Sequence, residues 1–479
     1  MENKKMKIIS IASIIALALT LVSATYAYFM AQTGEGKSTD IKINANTVDT
    51  FTFEAGSALN LSLNQENFAS GKGNQTGTTV AKAMLTANNK TNTATEHYYL
   101  YLNISNNTFT YSIDNNTPEI LLSIKDGSNN EITTLTGLTY KTVTDGKGAS
   151  IKGFDITTKS GLITILNNRE ITTTSSKTEQ WNVTVTFVNY NSNQAGNAGK
   201  NFTAKLMIQK EKILTLAEHV ISQYTGTQGD NALYYHNSSL TNGAGDNSYR
   251  YAGASDSVNN YICLGSDATT CPDANLFRII GVFGDKTKVI SAKSTGTQKW
   301  HTSQVNTWST SSLNTYLNGE YLTSLGTLTN KIATTTWKVG GGSWANIATS
   351  VPKTAYQYEV GANASTTTVD KKIGLMYVSD YYYGASPNAW TLVGRNSSDA
   401  TKDYRAATST NWLFLGSEEW TISRTSDDTS SAFLVRGTGN VVSIYVNNYS
   451  YAVRPSFSLE SSTTYVSGSG SMSDPVRIK

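Results

Sequence analysis

The chain has 479 residues, of which only 15% are charged, and its formal net charge is +3. This length exceeds what one hydrophobic core usually serves, so two or three domains are expected. The small net charge leaves no electrostatic footprint for nucleic acid or an anionic membrane. The abundance of uncharged polar residues, with 37 glycines and 27 tyrosines, favours a β-rich extracellular protein over a cytosolic enzyme with a Lys/Glu-rich surface.

The N-terminus has the pattern of an export leader. Three lysines precede an uncharged stretch at residues 8–33, as in the n-region and h-region of a signal peptide. Residues 1–27 are therefore predicted to be a signal peptide cut after Ala27, or an uncleaved anchor, because residues 8–31 are long enough to span a bilayer. In both cases the protein is secreted or lies at the cell surface, and the leader is its only predicted contact with a membrane.

Residues 40–210 are predicted to form a β-sandwich. Apolar and polar residues alternate at several places, including residues 97–104, and this period of two is typical of strands with one buried face. Residues 181–187 and 202–208 show the same alternation on either side of an Asn/Gly/Ser-rich loop, so they are predicted to pair as a hairpin. Two sheets packed face to face would bury such half-apolar strands.

Residues 24–29, Ala-Thr-Tyr-Ala-Tyr-Phe, close the leader and are followed directly by the Thr/Asn-rich β-domain. This arrangement resembles the TasA/camelysin group of exported bacterial proteins, whose members are β-sandwiches of the cell surface and biofilm matrix. Camelysin-type proteins have been classed as metallopeptidases, but no His-Glu-x-x-His occurs in this chain. His97 lies in an alternating strand and His219 has no second histidine one turn away, so a protease site is not predicted.

Residues 211–229 are predicted to be a helical linker. Apolar residues between Ile213 and Tyr224 recur at helical spacing, and a Gly-containing stretch at residues 226–229 closes the pattern. A short amphipathic helix between two domains usually serves as a connector, and a partner-binding helix is the alternative.

Residues 230–479 are predicted to form a separate α+β domain. Every tryptophan except Trp181 lies in this part, which indicates an aromatic core. A strand at 276–283, a helix within 305–325 and a strand at 373–378 are expected in chain order.

The only two cysteines of the chain, Cys263 and Cys271, lie eight positions apart in this domain. In an exported protein a local disulfide is the expected state of such a pair. A metal site is the weaker alternative, because no histidine lies at a normal zinc-site spacing from them.

Residues 412–459 are predicted to form the closing sheet of the C-terminal domain. Apolar residues alternate at 433–435 and again at 442–446, on either side of a turn at 437–440, which is the pattern of successive antiparallel strands. The segment 447–451, Asn-Asn-Tyr-Ser-Tyr, then forms a polar and aromatic loop before the final strand.

Five short motifs follow one another in this domain. They are Phe-Arg-Ile-Ile-Gly at 277–281, a helix at 312–317, Gly-Leu to Ser-Asp-Tyr at 374–381, Trp-Thr-Ile-Ser at 420–423 and Val-Arg-Pro at 453–455. Their order resembles a family of bacterial surface domains of uncharacterised function, which is itself similar to C-type-lectin-like and formylglycine-generating-enzyme-like folds. The resemblance implies a lectin-like α+β fold that ends with a Trp-rich hairpin, a displayed loop and an Arg-Pro before the last strand.

Calcium is the cofactor that a lectin-like fold implies. The pairs Asp427-Asp428 and Asn447-Asn448 supply oxygen atoms of the right type, but neither Glu-Pro-Asn nor Gln-Pro-Asp occurs. No cofactor is therefore predicted, and calcium remains the alternative. The cysteine pair also lies too early in the chain, and its members too close together, for the active site of a formylglycine-generating enzyme.

The sequence shows no convergent set of catalytic groups. Neither a Gly-x-Ser-x-Gly elbow nor a phosphate loop occurs. Glu418 and Glu419 are adjacent, so on a strand they would point to opposite faces, and a solvated turn is expected rather than a glycosidase-type pair. No enzymatic activity is predicted. The four histidines are far apart in the sequence: His97, His219, His236 and His301.

The candidate ligand contacts are aromatic and amide side chains of the C-terminal domain. The predicted function is recognition or adhesion at the bacterial cell surface or in its matrix, with a glycan or protein as partner. Two alternatives remain: a biofilm-type fibre subunit that self-associates through its N-terminal domain, and an extracellular enzyme with an unrecognised site. The residues predicted to bind ligand are Asn447, Asn448, Tyr449, Tyr451, Tyr445 and Trp390.

Overall fold

The computed structural model describes residues 49–64, 67, 72–88 and 92–479. The predicted leader lies outside the described residues. Strands outnumber helices in the described part and form several antiparallel sheets, which confirms the prediction of a mainly β chain with some helix. The chain divides into two compact units, of which the first ends at Lys212 and the second begins at Ile213. Among the described residues, no helix has the length and apolar character that a membrane span requires.

The first unit is built from strands. Its described elements are β1 (Thr50–Ala55), β2 (Leu59–Ser62), β3 (Gln75–Thr86), β4 (Ala94–Asn107), β5 (Ile120–Asp126), β6 (Tyr140–Thr144), β7 (Ser150–Asp155), β8 (Gly161–Thr173), β9 (Ser176–Phe187), a 3-10 turn (Ala195–Asn197) and β10 (Asn201–Gln209). They form a six-stranded sheet in the order β1-β3-β9-β5-β7-β6 and a four-stranded sheet in the order β2-β10-β4-β8.

The two sheets of the first unit enclose one hydrophobic core, which is the arrangement of a β-sandwich. Leu100 and Leu102 of β4 and Val183 and Val185 of β9 are fully buried and belong to the same cluster. In β9 a half-buried residue separates the two valines, because successive side chains of a strand point to opposite faces, whereas in β4 the residue between the two leucines, Tyr101, is buried as well. Where the period of two holds in the sequence, it therefore identifies the residues that face the core.

The predicted hairpin between residues 181–187 and 202–208 is wrong. Strand β9 pairs with β3 and β5, whereas β10 pairs with β2 and β4. The two strands lie in opposite sheets, and residues 188–200 cross from one sheet to the other. Alternation shows that each strand has one buried face. It does not show whether two such strands pair as a hairpin or lie in opposite sheets across the core, because both arrangements bury one face of each strand.

The second unit combines short helices with several sheets. Its strands are β11 (Leu233–Tyr235), β12 (Tyr249–Tyr251), β13 (Tyr261–Cys263), β14 (Leu276–Phe283), β15 (Lys286–Ser291), β16 (Thr297–Gln298), β17 (Thr335–Lys338), β18 (Thr368–Lys371), β19 (Ile373–Gly374), β20 (Glu419–Arg424), β21 (Ser431–Val435), β22 (Val441–Tyr445), β23 (Tyr451–Ala452), β24 (Ser456–Ser458), β25 (Tyr465–Ser467) and β26 (Arg477–Ile478). Its α-helices are α1 (Leu216–Ser222), α2 (Ser312–Tyr316), α3 (Leu322–Ser324), α4 (Trp344–Ile347), α5 (Pro352–Glu359) and α6 (Val378–Tyr383).

Two larger sheets organise the second unit. One has the order β11-β12-β14-β15-β24-β19, with β13 also paired to β14, and the other has the order β16-β23-β20-β21-β22. The pairs β17-β18 and β25-β26 form two further small sheets. Side chains from both larger sheets and from the helices meet in one extensive core, which includes Phe277, Trp420 and Phe433.

Helix α1 belongs to the second unit and is not a free linker. Leu216 and Val220 are buried in the same core as Phe277. The backbone N–H of Leu216 also donates to the carbonyl of Thr463 at 2.7 Å, which ties the start of this unit to its C-terminal segment. The amphipathic pattern of residues 213–224 is therefore explained by a helix that docks on its own core.

The predicted strand at 373–378 ends early. Strand β19 covers only Ile373 and Gly374, and helix α6 starts at Val378. The buried carboxylate of Glu359 accepts the N–H groups of Val378 and Ser379 at 2.9 and 2.8 Å, which stabilises a helix start here. The apolar residues between strand and helix are buried in either conformation, so their pattern could not distinguish the two.

The predicted disulfide between Cys263 and Cys271 is confirmed. It connects the end of β13 to the loop that precedes β14. Arg477 holds the same loop from the C-terminal side, because its guanidinium donates to the carbonyl oxygens of Ser266, Ala268 and Thr269.

Candidate functional site

The loop between β22 and β23, residues 445–451, leaves the five-stranded sheet from a fixed point. Strands β21 and β22 pair along their whole length, ending with Ser431 opposite Tyr445. Val446 is fully buried, its N–H donates to the carbonyl of Ser430 at 3.0 Å, and its own carbonyl accepts from the N–H of His301 at 3.1 Å. The backbone is thus held on two sides at the start of the loop. We call residues 445–451 the tyrosine loop.

Three tyrosines of the tyrosine loop form a gradient from core to solvent. Tyr451 is half-buried and its ring meets the edge of the buried Trp420 ring, with centroids 5.1 Å apart. The ring of Tyr449 lies 5.8 Å from that of Tyr451 and is 56% exposed. Tyr445, at the end of β22, is 48% exposed. Large aromatic side chains are thus presented to solvent on a rigid base.

The phenol of Tyr451 stays protonated because of its surroundings. Burial raises the pKa of Tyr451, and the nearby negative charge of Glu418 raises it further. A protonated phenol retains its O–H donor and its acceptor lone pairs. The tyrosine loop carries no charged side chain between Tyr445 and Tyr451, so its surface offers neutral hydrogen-bonding groups and ring faces.

The two asparagines of the tyrosine loop have different surroundings. The N–H of Asn448 donates to the carbonyl of Tyr445 at 3.3 Å and closes a turn, which leaves the Asn448 side chain exposed. The Oδ1 atom of Asn447 is buried and accepts no hydrogen bond from any residue that the structure describes. A buried acceptor without a donor is costly, so a water molecule or a ligand donor is expected at this atom.

Trp390 does not belong to the site, and its prediction as a ligand contact is wrong. Its side chain is fully buried and its indole N–H donates to the carbonyl of Ala385 at 2.9 Å. The ring packs against Tyr383 and Tyr234 at centroid distances of 5.3 and 5.4 Å. Large aromatic residues fill the core of this unit, and Trp390 is one of them.

A buried ion pair supports the sheet behind the tyrosine loop. The guanidinium of Arg454 donates to both carboxylate oxygens of Glu419, at 2.7 and 2.8 Å, and to the carbonyl of Leu413 at 2.6 Å. The expectation of a solvated turn at Glu418-Glu419 is therefore wrong for Glu419, which is 1% exposed. Burial raises the pKa of Glu419, while the charge of Arg454 opposes that rise.

The acidic residues near the loop do not fit a calcium site. Asp428 accepts the backbone N–H groups of Ser430 and Ser431 at 2.6 and 2.7 Å, as a turn-forming aspartate does. Asp427 accepts the N–H of Trp344. Within the described part of the chain, no group of three or more His, Cys, Asp or Glu residues is arranged to hold a metal ion.

A second group of buried charges is structural in character. Arg250 is fully buried, and its guanidinium pairs with Asp246 at 2.6 Å and lies 3.8 Å from Asp380. Lys288 pairs with the other oxygen of Asp380 at 2.5 Å. The guanidinium of Arg250 also lies over the ring of Phe283, 4.7 Å from its centroid. Each charge is used by a partner within the core, which leaves none to meet a substrate.

Val305 is an exposed apolar residue that the sequence did not associate with the site. It was expected on a helix, but the helix begins only at Ser312. Val305 is 42% exposed, in a segment whose residue His301 donates its backbone N–H to the carbonyl of Val446 in the tyrosine loop. No pattern in the sequence marks this position, because the link depends on a hydrogen bond between distant segments.

Comparison with known proteins gives one similarity. Residues 284–461 match the family described as "Domain of unknown function (DUF6273)". The matched stretch contains both the tyrosine loop and the ion pair behind it. No curated protein and no solved structure matches the chain.

Proposed function

We propose that this chain is an exported bacterial surface or matrix protein that recognises a ligand through its second unit, with the tyrosine loop as the contact surface. The observation that carries the proposal is the exposure of Tyr445 and Tyr449 on one loop, at 48% and 56%. Tyrosine is enriched at the energetic centres of interfaces because it combines a large apolar ring with a polar end.

The support beneath the loop favours binding. Tyr449 lies against Tyr451, which in turn lies against the buried Trp420. A side chain that is already positioned loses less conformational entropy on binding than a free one. The loop is neutral, so its partner is expected to offer hydroxyl, amide or apolar groups rather than concentrated charge. A glycan or a neutral protein surface has this chemistry.

The proposed location follows from the leader at residues 1–27 and from the resemblance of the first half to TasA/camelysin proteins. In this proposal the second unit is a lectin-like recognition domain without a bound cofactor. The membrane is contacted only through the leader, nucleic acid is not a partner, and no residue is assigned a catalytic role.

The proposal is tested by an array of bacterial and host glycans together with surface proteins. The chain from residue 28 onward is compared with the double variant Tyr445→Ala, Tyr449→Ala. We expect at least one class of array feature to bind the parent chain and to lose its signal with the variant. Equal signals for the two proteins would contradict the role of the tyrosine loop in binding. An array on which no glycan or protein binds the parent chain would contradict recognition of these ligand classes.

A fibre-forming role is the second candidate, and an observation in the first unit favours it. Strand β8 is 13 residues long and lies at the edge of the four-stranded sheet, where it pairs only with β4 among the described strands. An edge strand of this length offers unpaired backbone groups to a second chain. Electron microscopy of the chain from residue 28 over a range of concentrations should then show filaments, and their absence at every concentration would contradict this role.

A further inference from the structure

A polar hollow of about 350 Å³ lies in the second unit, next to helix α1. Its volume falls within the range of roughly 300–1,000 Å³ that is usual for small-molecule sites. Buried apolar residues, among them Ile279 and Val476, form part of its wall. Its polar lining consists of neutral side chains: His219, Gln223, Asn231, Ser257, Asn259 and Ser469.

His219 is held in place at the wall of the hollow. Its ring stacks on that of Tyr465, with a centroid distance of 3.6 Å and an angle of 6° between the planes. Burial lowers the pKa of His219, so the imidazole is neutral at neutral pH and offers one N–H donor and one acceptor nitrogen. No hydrogen bond between described residues uses either ring nitrogen.

Two amide side chains of the lining also retain hydrogen-bonding capacity. The amide nitrogen of Asn231 donates to the carbonyl of Gln223 at 2.8 Å, which leaves its oxygen available. Asn259 is exposed, and its side chain makes no hydrogen bond with any described residue. The lining therefore offers both donors and acceptors to a ligand.

Asn259 also lines a second hollow of about 440 Å³, so the two spaces adjoin at this residue. The second space is lined by three serines, Ser255, Ser471 and Ser473, and by the exposed Met472. Asp256 is the single charged residue in the lining of the two hollows. The two linings together are rich in hydroxyl and amide groups.

We propose that the two hollows joined at Asn259 form a binding site for a neutral saccharide, separate from the tyrosine loop. An anion would require cationic groups that the lining lacks, and an apolar ligand would leave the amides and the imidazole unpaired. A saccharide presents hydroxyl groups that both donate and accept, which matches neutral side chains of the same double character. The site is an addition to the proposed recognition function and does not depend on it.

The test uses the chain from residue 28 onward and three neutral probes: maltotriose, cellotriose and chitotriose. Binding is measured by calorimetric titration and by saturation-transfer NMR. His219→Phe keeps an aromatic ring over Tyr465 but removes both ring nitrogens, and Asn259→Ala removes an exposed amide at the junction. Asn388→Ala, an exposed asparagine in the 3-10 turn Pro387–Thr391, is the matched control.

We expect at least one trisaccharide to bind, and we expect His219→Phe and Asn259→Ala each to weaken its binding by about tenfold or more, as loss of hydrogen bonds in a polar site does. Asn388→Ala and Tyr449→Ala should leave the dissociation constant unchanged. Thermal unfolding checks that each variant folds, and the exposed Asn259 keeps the test valid should His219→Phe fail to fold.

Two outcomes would overturn the inference. One is the absence of binding by all three probes, and the other is undiminished binding by folded Asn259→Ala. Loss of trisaccharide binding in Tyr449→Ala alone would place the saccharide at the tyrosine loop, which would contradict the separate site while it supported the proposed function.

Discussion

The ion pair between Arg454 and Glu419 gives the first prediction at the scale of single residues. Replacement of Glu419 by Gln leaves the buried guanidinium without its counter-charge, and loss of one partner of a buried pair costs about 3–5 kcal/mol. The free energy of unfolding, measured with urea, should fall by about that amount. The neighbouring substitution Glu418→Gln, at a partly exposed position, is the control and should change it by less than about 0.5 kcal/mol. Equal effects at the two positions would contradict the assigned burial.

The burial of His236 leads to a second prediction, that the protein loses stability at acidic pH. Its Nδ1 accepts the N–H of Ala244 at 3.1 Å, and its ring packs against Tyr383 and Trp390. Burial lowers the pKa of His236 well below its ordinary 6.5, and the charge of Arg250 lowers it further. The unfolded chain therefore binds a proton near pH 6.5 that the folded chain does not. Stability from this group is fully present above that pH and is lost as the pH falls below it.

The prediction is tested by urea unfolding at about pH 7.5 and about pH 5, the range in which histidine titrates. The parent chain should lose more unfolding free energy between the two values than His236→Gln, whose amide oxygen can still accept from Ala244. Asp246 faces the same region and pairs with Arg250, but it is common to both proteins, so the difference isolates His236. An identical pH dependence in the two proteins would refute the assignment.

At the residue scale, the exposure of some candidate site residues could be predicted from the sequence. Tyr445 and Tyr449 could be predicted because alternation ended and polar residues began around them. Trp390 and Glu419 could not, since burial of an aromatic or acidic residue depends on which distant segment covers it. Glu419 is buried because Arg454, 35 positions later, reaches its carboxylate.

At the scale of elements, the disulfide loop between β13 and β14 gives a prediction. The bond between Cys263 and Cys271 closes a loop of about eight residues, for which chain entropy accounts for about 2–3 kcal/mol. The double variant Cys263→Ser, Cys271→Ser should lower the unfolding free energy of the second unit by about that amount. Calorimetry should show the transition of the first unit unchanged, and a shift in both transitions, or in neither, would contradict the assignment.

Strands and helices could be predicted from the sequence where a local pattern determines them, but not where their bounds or partners depend on distant residues. Strands β20 to β22 follow from alternation and the intervening turn, and Ser311 caps helix α2 by accepting the N–H of Asn314. The partner of β9 and the early end of β19 depend on long-range packing. Helix α1 was expected from its period, but its membership in the second core required the contact between Leu216 and Thr463.

At the scale of the whole molecule, each unit has its own core. The core of the first unit and that of the second unit share no residue. Residues 49–212 and 213–479 are therefore predicted to fold as separate fragments, each with a cooperative unfolding transition. Circular dichroism and urea titration of the two fragments check this. A fragment that shows no cooperative transition would contradict the division at Lys212.

The saccharide site could not be predicted from the sequence for a reason that applies to the molecule as a whole. Its lining comes from helix α1, the segment after β12, the turn before β11 and the C-terminal loop. Each segment alone has the composition of an ordinary polar surface. Only the packing of the start of the unit against its end brings His219, Asn259 and Ser469 together.

The central claim, ligand recognition by the tyrosine loop, is tested most directly by one affinity measurement. The ligand is the strongest array ligand whose binding Asn259→Ala leaves unchanged. Its dissociation constant is compared among the parent chain, Tyr449→Ala and Val466→Ala, a control at another exposed apolar position, which is 45% exposed. We predict that Tyr449→Ala weakens binding by about tenfold or more, as loss of an interface anchor does, with no change in thermal stability, and that Val466→Ala has no effect. Equal affinity of Tyr449→Ala and the parent chain would contradict the claim.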